Sequence, residues 1–297
     1  MKNKTKIGHI ATLLTIILWG TTYISTKVLL VDFQPVEILM YRFVMGLLAL
    51  TIAYPRRLKG TTKKQEFTFA MAGLSGICLY YLLENIALTY TLASNVGVIV
   101  SIAPCFTALF TKLFLKNEEK LHLNFFLGFF VAIIGICCIS FNGNSVQINP
   151  FGDFLAVLAC IVWAIYSILT RKISSYGYHT ILTTRRIFFY GICFMIPMMF
   201  FFDFRLGIDR LLNPVYAGNL VFLGLGASAL CFVTWNFGVK VLGTIKTSVY
   251  IYLVPVVTII TSVLILHEKI TPIAAVGTVL TLCGMIVSEL RLKKKII

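Results

Sequence analysis

The sequence predicts an all-α membrane protein whose ten transmembrane helices form two inverted five-helix repeats, residues 1–145 and 146–297. Three observations carry that expectation. The 297 residues are 59% hydrophobic and 12% charged, with a mean hydropathy of +0.92, which leaves too little polar surface for a soluble chain of this size. The apolar residues fall into ten runs of about 20, the length a helix needs to cross a bilayer. An ordered set of residues also occurs twice. Asn85, Pro104 and Thr107 recur with the same spacing as Asn236, Pro255 and Thr258. After a short deletion, Glu119, Lys120, Gly128 and Gly135 recur as Glu268, Lys269, Gly277 and Gly284.

The first run, roughly 8–30, follows Lys2, Lys4 and Lys6, an arrangement shared with secretory leaders. Its apolar stretch continues past Trp19 to Leu30 without a small-residue cleavage site, so it reads as a retained first span. The second run, 35–54, opens at Pro35 and carries Arg42; the third, 67–89, carries Tyr80, Glu84 and Asn85. Pro104 interrupts the fourth, 93–115, near its middle, and the fifth, 122–141, places Gly128 and Gly135 on one helix face. The second copy follows as 151–170, 180–202, 216–239, 246–266 and 271–290, with short connections throughout. Trp19, Thr26, Lys27 and Arg42 match Trp163, Thr170, Arg171 and Arg186, so the repetition reaches the start of each copy; a short insertion falls in the connection from Asp203 to Pro214. Because each copy has an odd number of spans, the second crosses the membrane the opposite way. Inverted repeats of this kind mark secondary transporters, where two pseudo-equivalent halves rock about a central site.

A net charge of +15 would point to nucleic acid in a soluble protein. Here the basic residues gather at one set of span ends, among them Lys2, Lys4, Lys6, Arg56, Arg57, Lys63, Lys64, Lys116, Lys120, Arg171, Lys172, Lys240 and Lys246. The opposite connections hold Arg205, Arg210 and Lys269. This bias places both termini on the cytoplasmic side of the plasma membrane, and no nucleic-acid partner is expected. All eight cysteines fall within spans and read as packing residues. The histidines His9, His122, His179 and His267 sit at span ends without ligand spacing, so no metal or cofactor is expected. No Ser/His/Asp set or glycine-rich phosphate loop appears, which argues against an enzyme and against ATP-driven transport by this chain alone.

The residues that carry the chemistry lie inside the spans. Trp19, Thr22, Tyr23 and Thr26 share one face of the first span, and Trp163, Tyr166, Ser167 and Thr170 repeat that face in the sixth. Such aromatic, hydroxylated faces look inward, either at a solute pathway or at another helix. Glu84, beside Asn85 and one turn after Tyr80, is the acid that stands out, because an ionisable residue within a span is a functional candidate. It is placed to bind a substrate amine or to exchange a proton as access alternates; the alternative is an ion pair with Arg42 or Lys27. Its counterpart in the second copy is Trp235, beside Asn236. Arg42 and Arg186 read either as partners of a substrate carboxylate or as structural charges that snorkel or bond helix-end carbonyls. Pro104 and Pro255 free carbonyls near mid-span, and Tyr250 is the expected cavity residue before the second. Glu119 and Glu268 read as helix-start residues facing the amide dipole. The glycine pairs read as close-packing seams, between the repeats or between protomers of a homodimer.

The ordered set Leu18-Trp19-Gly20, Pro35 with Arg42, Ala87 to Tyr90, Pro104, Glu119, Gly128 and Gly135, followed by Trp163, Pro255, Glu268, Gly277 and Gly284, resembles the EamA-like transporters of the drug/metabolite transporter superfamily along essentially the whole chain. The resemblance implies two EamA-like repeats and a substrate pathway lined by spans 1, 3, 4, 6, 8 and 9. It also implies transport of small organic solutes, often amino acids and often outward. An acid at the place of Glu84 is not usual in that pattern. The resulting expectation is a secondary carrier of amine-bearing or amino-acid-like metabolites, with a small-molecule substrate, the lipid bilayer and a coupling proton as partners. An exporter of hydrophobic cations, or a non-transporting scaffold or sensor, are the alternatives.

Overall fold

Helix boundaries follow local signals in the sequence. In the computed structural model, which describes residues 2–90, 93–115, 123–140, 149–202, 204–266 and 271–289, every regular element is helical. Glu119, Glu268, His122, His267, Lys116, Lys120 and Lys269, singled out above, lie outside the described residues. The chain opens with α1 (Lys2–Leu29) and α2 (Pro35–Ala53). Pro35 occupies the first turn of α2, where its missing N–H costs nothing, and Glu37 accepts the Gln34 N–H at 2.8 Å. Next comes α3 (Lys63–Tyr90), started by a reciprocal pair in which Thr62 caps Gln65 and Gln65 caps Thr62.

α4 (Ala93–Val100) and α5 (Ala103–Phe114) form a broken rod, and α6 (Leu123–Ser140) follows. α7 (Pro150–Ser174) starts at an Asn149 cap with Pro150 in its first turn, then come α8 (Thr180–Phe201) and α9 (Pro214–Leu242), the last started in the same way by Asn213 and Pro214. Gly243, at φ +90°, separates α9 from α10 (Thr244–Val249). A 3₁₀ turn, Tyr250–Tyr252, leads into α11 (Leu253–Leu266), and α12 (Pro272–Glu289) closes the described chain.

Six of these helices, α1, α2, α3, α7, α8 and α9, run 19 to 29 residues and are long and apolar enough to cross a membrane. The remaining apolar helices are shorter. Many large apolar side chains face outward, Ile52, Phe200 and Phe201 among the most exposed, as a lipid-facing surface requires.

Two features shape the interior. The hydrogen-bonding of α3 loosens to a π-helical pattern over Leu74–Leu79, and that of α9 over Phe222–Leu230. The stretches end at matching distances before Asn85 and Asn236. Gly76, inside the first stretch, has no room for a Cβ because the Tyr166 ring of α7 occupies the space. The second feature is the glycine seam. Gly128 and Gly135 of α6 pack against Gly284 and Gly277 of α12, and a Cβ at Gly277 would lie 2.5 Å from the Gly135 carbonyl oxygen. These glycines therefore join two helices of the same chain.

Candidate functional site

The residues that line the centre come from α1, α3, the end of α4, α7, the 3₁₀ turn before α11 and the start of α11. Trp19, Thr22 and Tyr23 meet Tyr80, Tyr81 and Glu84, together with Trp163, Val100, Ile251 and Val254, around a cavity of about 30 Å³. That volume holds water but no organic solute, so the conformation described is a closed one. Val100 and Ile251 stand four residues before Pro104 and Pro255, where the regular α-helical winding of the two rods is interrupted.

Glu84 is 7% exposed. Tyr80 donates its hydroxyl to Oε1 at 2.8 Å and Tyr23 donates to the same oxygen at 3.4 Å, while Oε2 has no hydrogen-bond partner among the described residues. The ion pair offered as an alternative does not form. Lys27 donates instead to the Leu88 carbonyl at 2.9 Å, and Arg42 Nε donates to Ser228 Oγ at 3.0 Å. Arg42 does not snorkel either: it is 1% exposed, and its guanidinium lies over the rings of Tyr81 and Phe43. Arg186 is far from its repeat counterpart in character. It forms a two-pronged pair with Glu66 (Nη2 to Oε1 and Nε to Oε2, both 2.9 Å), and Tyr190 and Thr61 donate to the same carboxylate at 2.6 Å.

The three tryptophans form one cluster. Ring centres of Trp19, Trp163 and Trp235 lie 5.1 to 5.8 Å apart, and Trp235 packs behind Trp19 without reaching the cavity. Trp19 donates its indole N–H to the Ala227 carbonyl, whereas those of Trp163 and Trp235 are buried without partners among the described residues. Asn236 also lies off the cavity, accepting from the Tyr166 hydroxyl at 2.9 Å and donating to Thr184 at 3.0 Å. Asn85 is 1% exposed, with its Nδ2 unpartnered among the described residues. Of the expected binding residues, the structure thus brings Trp19, Thr22, Tyr23, Tyr80, Glu84 and Trp163 together. It leaves Asn85, Tyr166, Trp235 and Asn236 one layer out, and Tyr250 bonds His9 at 2.6 Å. The 3₁₀ turn explains Tyr250: its tighter winding brings the adjacent Ile251 to the cavity instead.

Tyr81, Val100, Ile251 and Val254 are the lining residues that the sequence reading passed over. Tyr81 carried a signal, standing one helical turn before Glu84, but Tyr80 has an equivalent spacing and drew the attention.

The EamA-like transporter family model matches this chain twice, over residues 6–141 and 150–290. The chain belongs to that family. An uncharacterized transporter of Archaeoglobus fulgidus is 27% identical to this family member over 291 residues, covering 96% of this chain and 97% of the relative. A probable terminal-alkyne amino-acid exporter of Streptantibioticus cattleyicolor is 25% identical, covering 95% and 93%. A protein of known crystal structure shares the fold of this EamA-like chain with a TM-score of 0.73, at 20% identity and over 97% of this chain and 98% of that one. The protein is accordingly a membrane protein of a transporter family, with its buried acid in the wall of a central aromatic cavity.

Proposed function

We infer that this transporter is a secondary active carrier of amine-bearing, amino-acid-like metabolites, in which Glu84 receives the substrate amine or an exchanged proton. The observation that carries the reading is the Glu84 carboxylate. It is buried in the protein centre, held by hydroxyls through one oxygen, in no ion pair among the described residues, and set among Trp19, Trp163, Tyr23 and Tyr80. A buried carboxylate without a cation is costly, and aromatic walls favour a positively charged occupant. The name of the Streptantibioticus relative supports an amino-acid class of substrate and the export direction.

The carrier works by alternating access. Two halves, 1–145 and 146–297, each cross the membrane five times in opposite senses, with α4–α5 and α10–α11 as the broken members and both termini in the cytoplasm of a plasma-membrane protein. The double match of the family model supports this division. The cavity of about 30 Å³ supports it as well, since a site this small must widen toward one side before a solute enters. The tryptophan cluster favours a second reading, an exporter of hydrophobic cations using the same acid.

Solute counterflow in proteoliposomes tests both. Pooled labelled amino acids, amines, hydrophobic cations and organic anions are offered to the wild type and to Glu84→Gln. Exchange of amino acids or amines by the wild type, lost in a variant with an unchanged melting temperature, is the expected result. Exchange confined to hydrophobic cations establishes the second reading. Full exchange by the variant with unchanged pH dependence removes Glu84 from the mechanism, and exchange of anions alone overturns the substrate class.

A further inference from the structure

α1 begins beside the end of α9: the position a Cβ would take at Gly8 lies 3.1 Å from the Val241 side chain. There the two helices border an open apolar groove of about 490 Å³, much larger than the central cavity and within the range of organic ligand sites. Two stripes line it. From α1, Ile7 and Ala11 line it, with Lys4 one turn earlier on the same face, just beyond the lining; from α9, Val233, Phe237 and Lys240 share a face. Each stripe is apolar toward the membrane interior and ends in a lysine at the same end of the molecule.

Among the described residues, neither lysine has an ion-pair partner. Lys4 is exposed, and the ammonium of Lys240 has a single long contact, 3.4 Å to the Tyr178 carbonyl. His179, stacked on Tyr54 with ring centres 4.5 Å apart, completes the rim, and no carboxylate lines the groove among the described residues. An apolar trough capped at one end by cations has the polarity of an anionic lipid: a phosphate at the cations and a hydrocarbon tail along the trough. A soluble anion would use the rim and leave the apolar length idle.

We propose that the α1–α9 groove binds an anionic phospholipid, with its phosphate between Lys4, Lys240 and His179 and one acyl chain along Ile7, Phe237 and Val233. The site is separate from the central cavity and does not depend on the transport reading.

The test uses the full-length protein exchanged into mixed micelles holding equal amounts of phosphatidylglycerol and phosphatidylcholine with identical chains, with retained lipid counted by native mass spectrometry. The wild type retains phosphatidylglycerol in preference. Lys4→Gln with Lys240→Gln lowers that preference by about fivefold for each lysine removed and leaves phosphatidylcholine retention unchanged. Phe237→Trp, which fills the trough, lowers retention of both lipids. Lys63→Gln with Lys64→Gln changes nothing: these lysines start α3 near Gln65, which bonds Tyr178 at the same end of the molecule, but they lie outside the groove. Equal retention of the two lipids by the wild type overturns the proposal, as does an equal loss in the Lys63/Lys64 variant, which would reduce the effect to general surface charge. Displacement of the lipid by glycerol phosphate at equimolar concentration also overturns it, in favour of a soluble anion.

Discussion

Tyr81 stands between Arg42 and the central cavity: the Arg42 Cζ lies 4.4 Å from the centre of the Tyr81 ring, and Tyr81 is part of the cavity wall. Arg42 therefore acts on the site through a neighbour, as a positioning residue fixed by Ser228 on its far side. Arg42→Lys keeps the charge and loses the planar stack, worth about 1–2 kcal/mol when desolvated. The expected outcome is a rise in KM of roughly fivefold to thirtyfold, with kcat less affected, measured by initial transport rates. A change in kcat alone would place Arg42 elsewhere in the cycle.

The two tyrosines on Glu84 are unequal. Tyr80 donates at 2.8 Å, a strong geometry for a hydroxyl on a carboxylate, whereas Tyr23 at 3.4 Å is beyond the usual range. Tyr80→Phe is expected to reduce amine exchange by the larger factor, corresponding to about 1.5–3 kcal/mol, and Tyr23→Phe by a clearly smaller one. Counterflow on the two single variants decides; the reverse order would count against the hydrogen-bond pattern.

At one edge of the molecule, Arg210 pairs with Glu37 at 2.9 Å. Glu37 is 1% exposed and also accepts the backbone N–H groups of Gln34 and Arg205, both at 2.8 Å. This ties the connection after α8 to the start of α2. Removing Arg210 leaves a buried carboxylate short of its cation, so Arg210→Ala is expected to destabilise by about 3 kcal/mol. Arg186 is 36% exposed at its side chain, and Arg186→Ala is expected to cost at most about 1 kcal/mol. Thermal unfolding of both variants in the same detergent checks the order.

The glycine seam makes a steric prediction. Gly277→Ala forces α12 away from α6 and is expected to destabilise by about 1–3 kcal/mol. Gly218→Ala, in α9 with nothing within 4 Å of its added carbon, is expected to be neutral or to stabilise by up to about 1 kcal/mol. Melting temperatures of the pair report this directly, and equal effects would contradict the close approach.

Helices were legible wherever one physical signal was strong. The runs around Trp19, Trp163 and Trp235 are long and apolar, and Pro35, Pro150 and Pro214 mark the starts of α2, α7 and α9. One side of the cavity wall was legible because Trp19, Thr22 and Tyr23 share a helical face. What escaped depends on departures from regular winding and on partners distant in sequence. The break after Val100 and the 3₁₀ turn at Tyr250 rotate the following residues, which exchanged Ile251 for Tyr250 at the cavity. Local pattern could not announce that Arg42 would meet Ser228, that Glu37 would meet Arg210, or that Glu84 would bond Tyr80 and Tyr23. Each of those outcomes is set by helices packing across the whole chain.

Every tryptophan of this protein belongs to the central cluster, two of them in the cavity wall. Its ultraviolet emission therefore comes from one place. A solute that enters, or a wall that widens, alters the surroundings of all the emitters together, whereas events at the lipid-facing rim leave them untouched. The chain carries its own unlabelled optical gauge, already positioned where occupancy would be read.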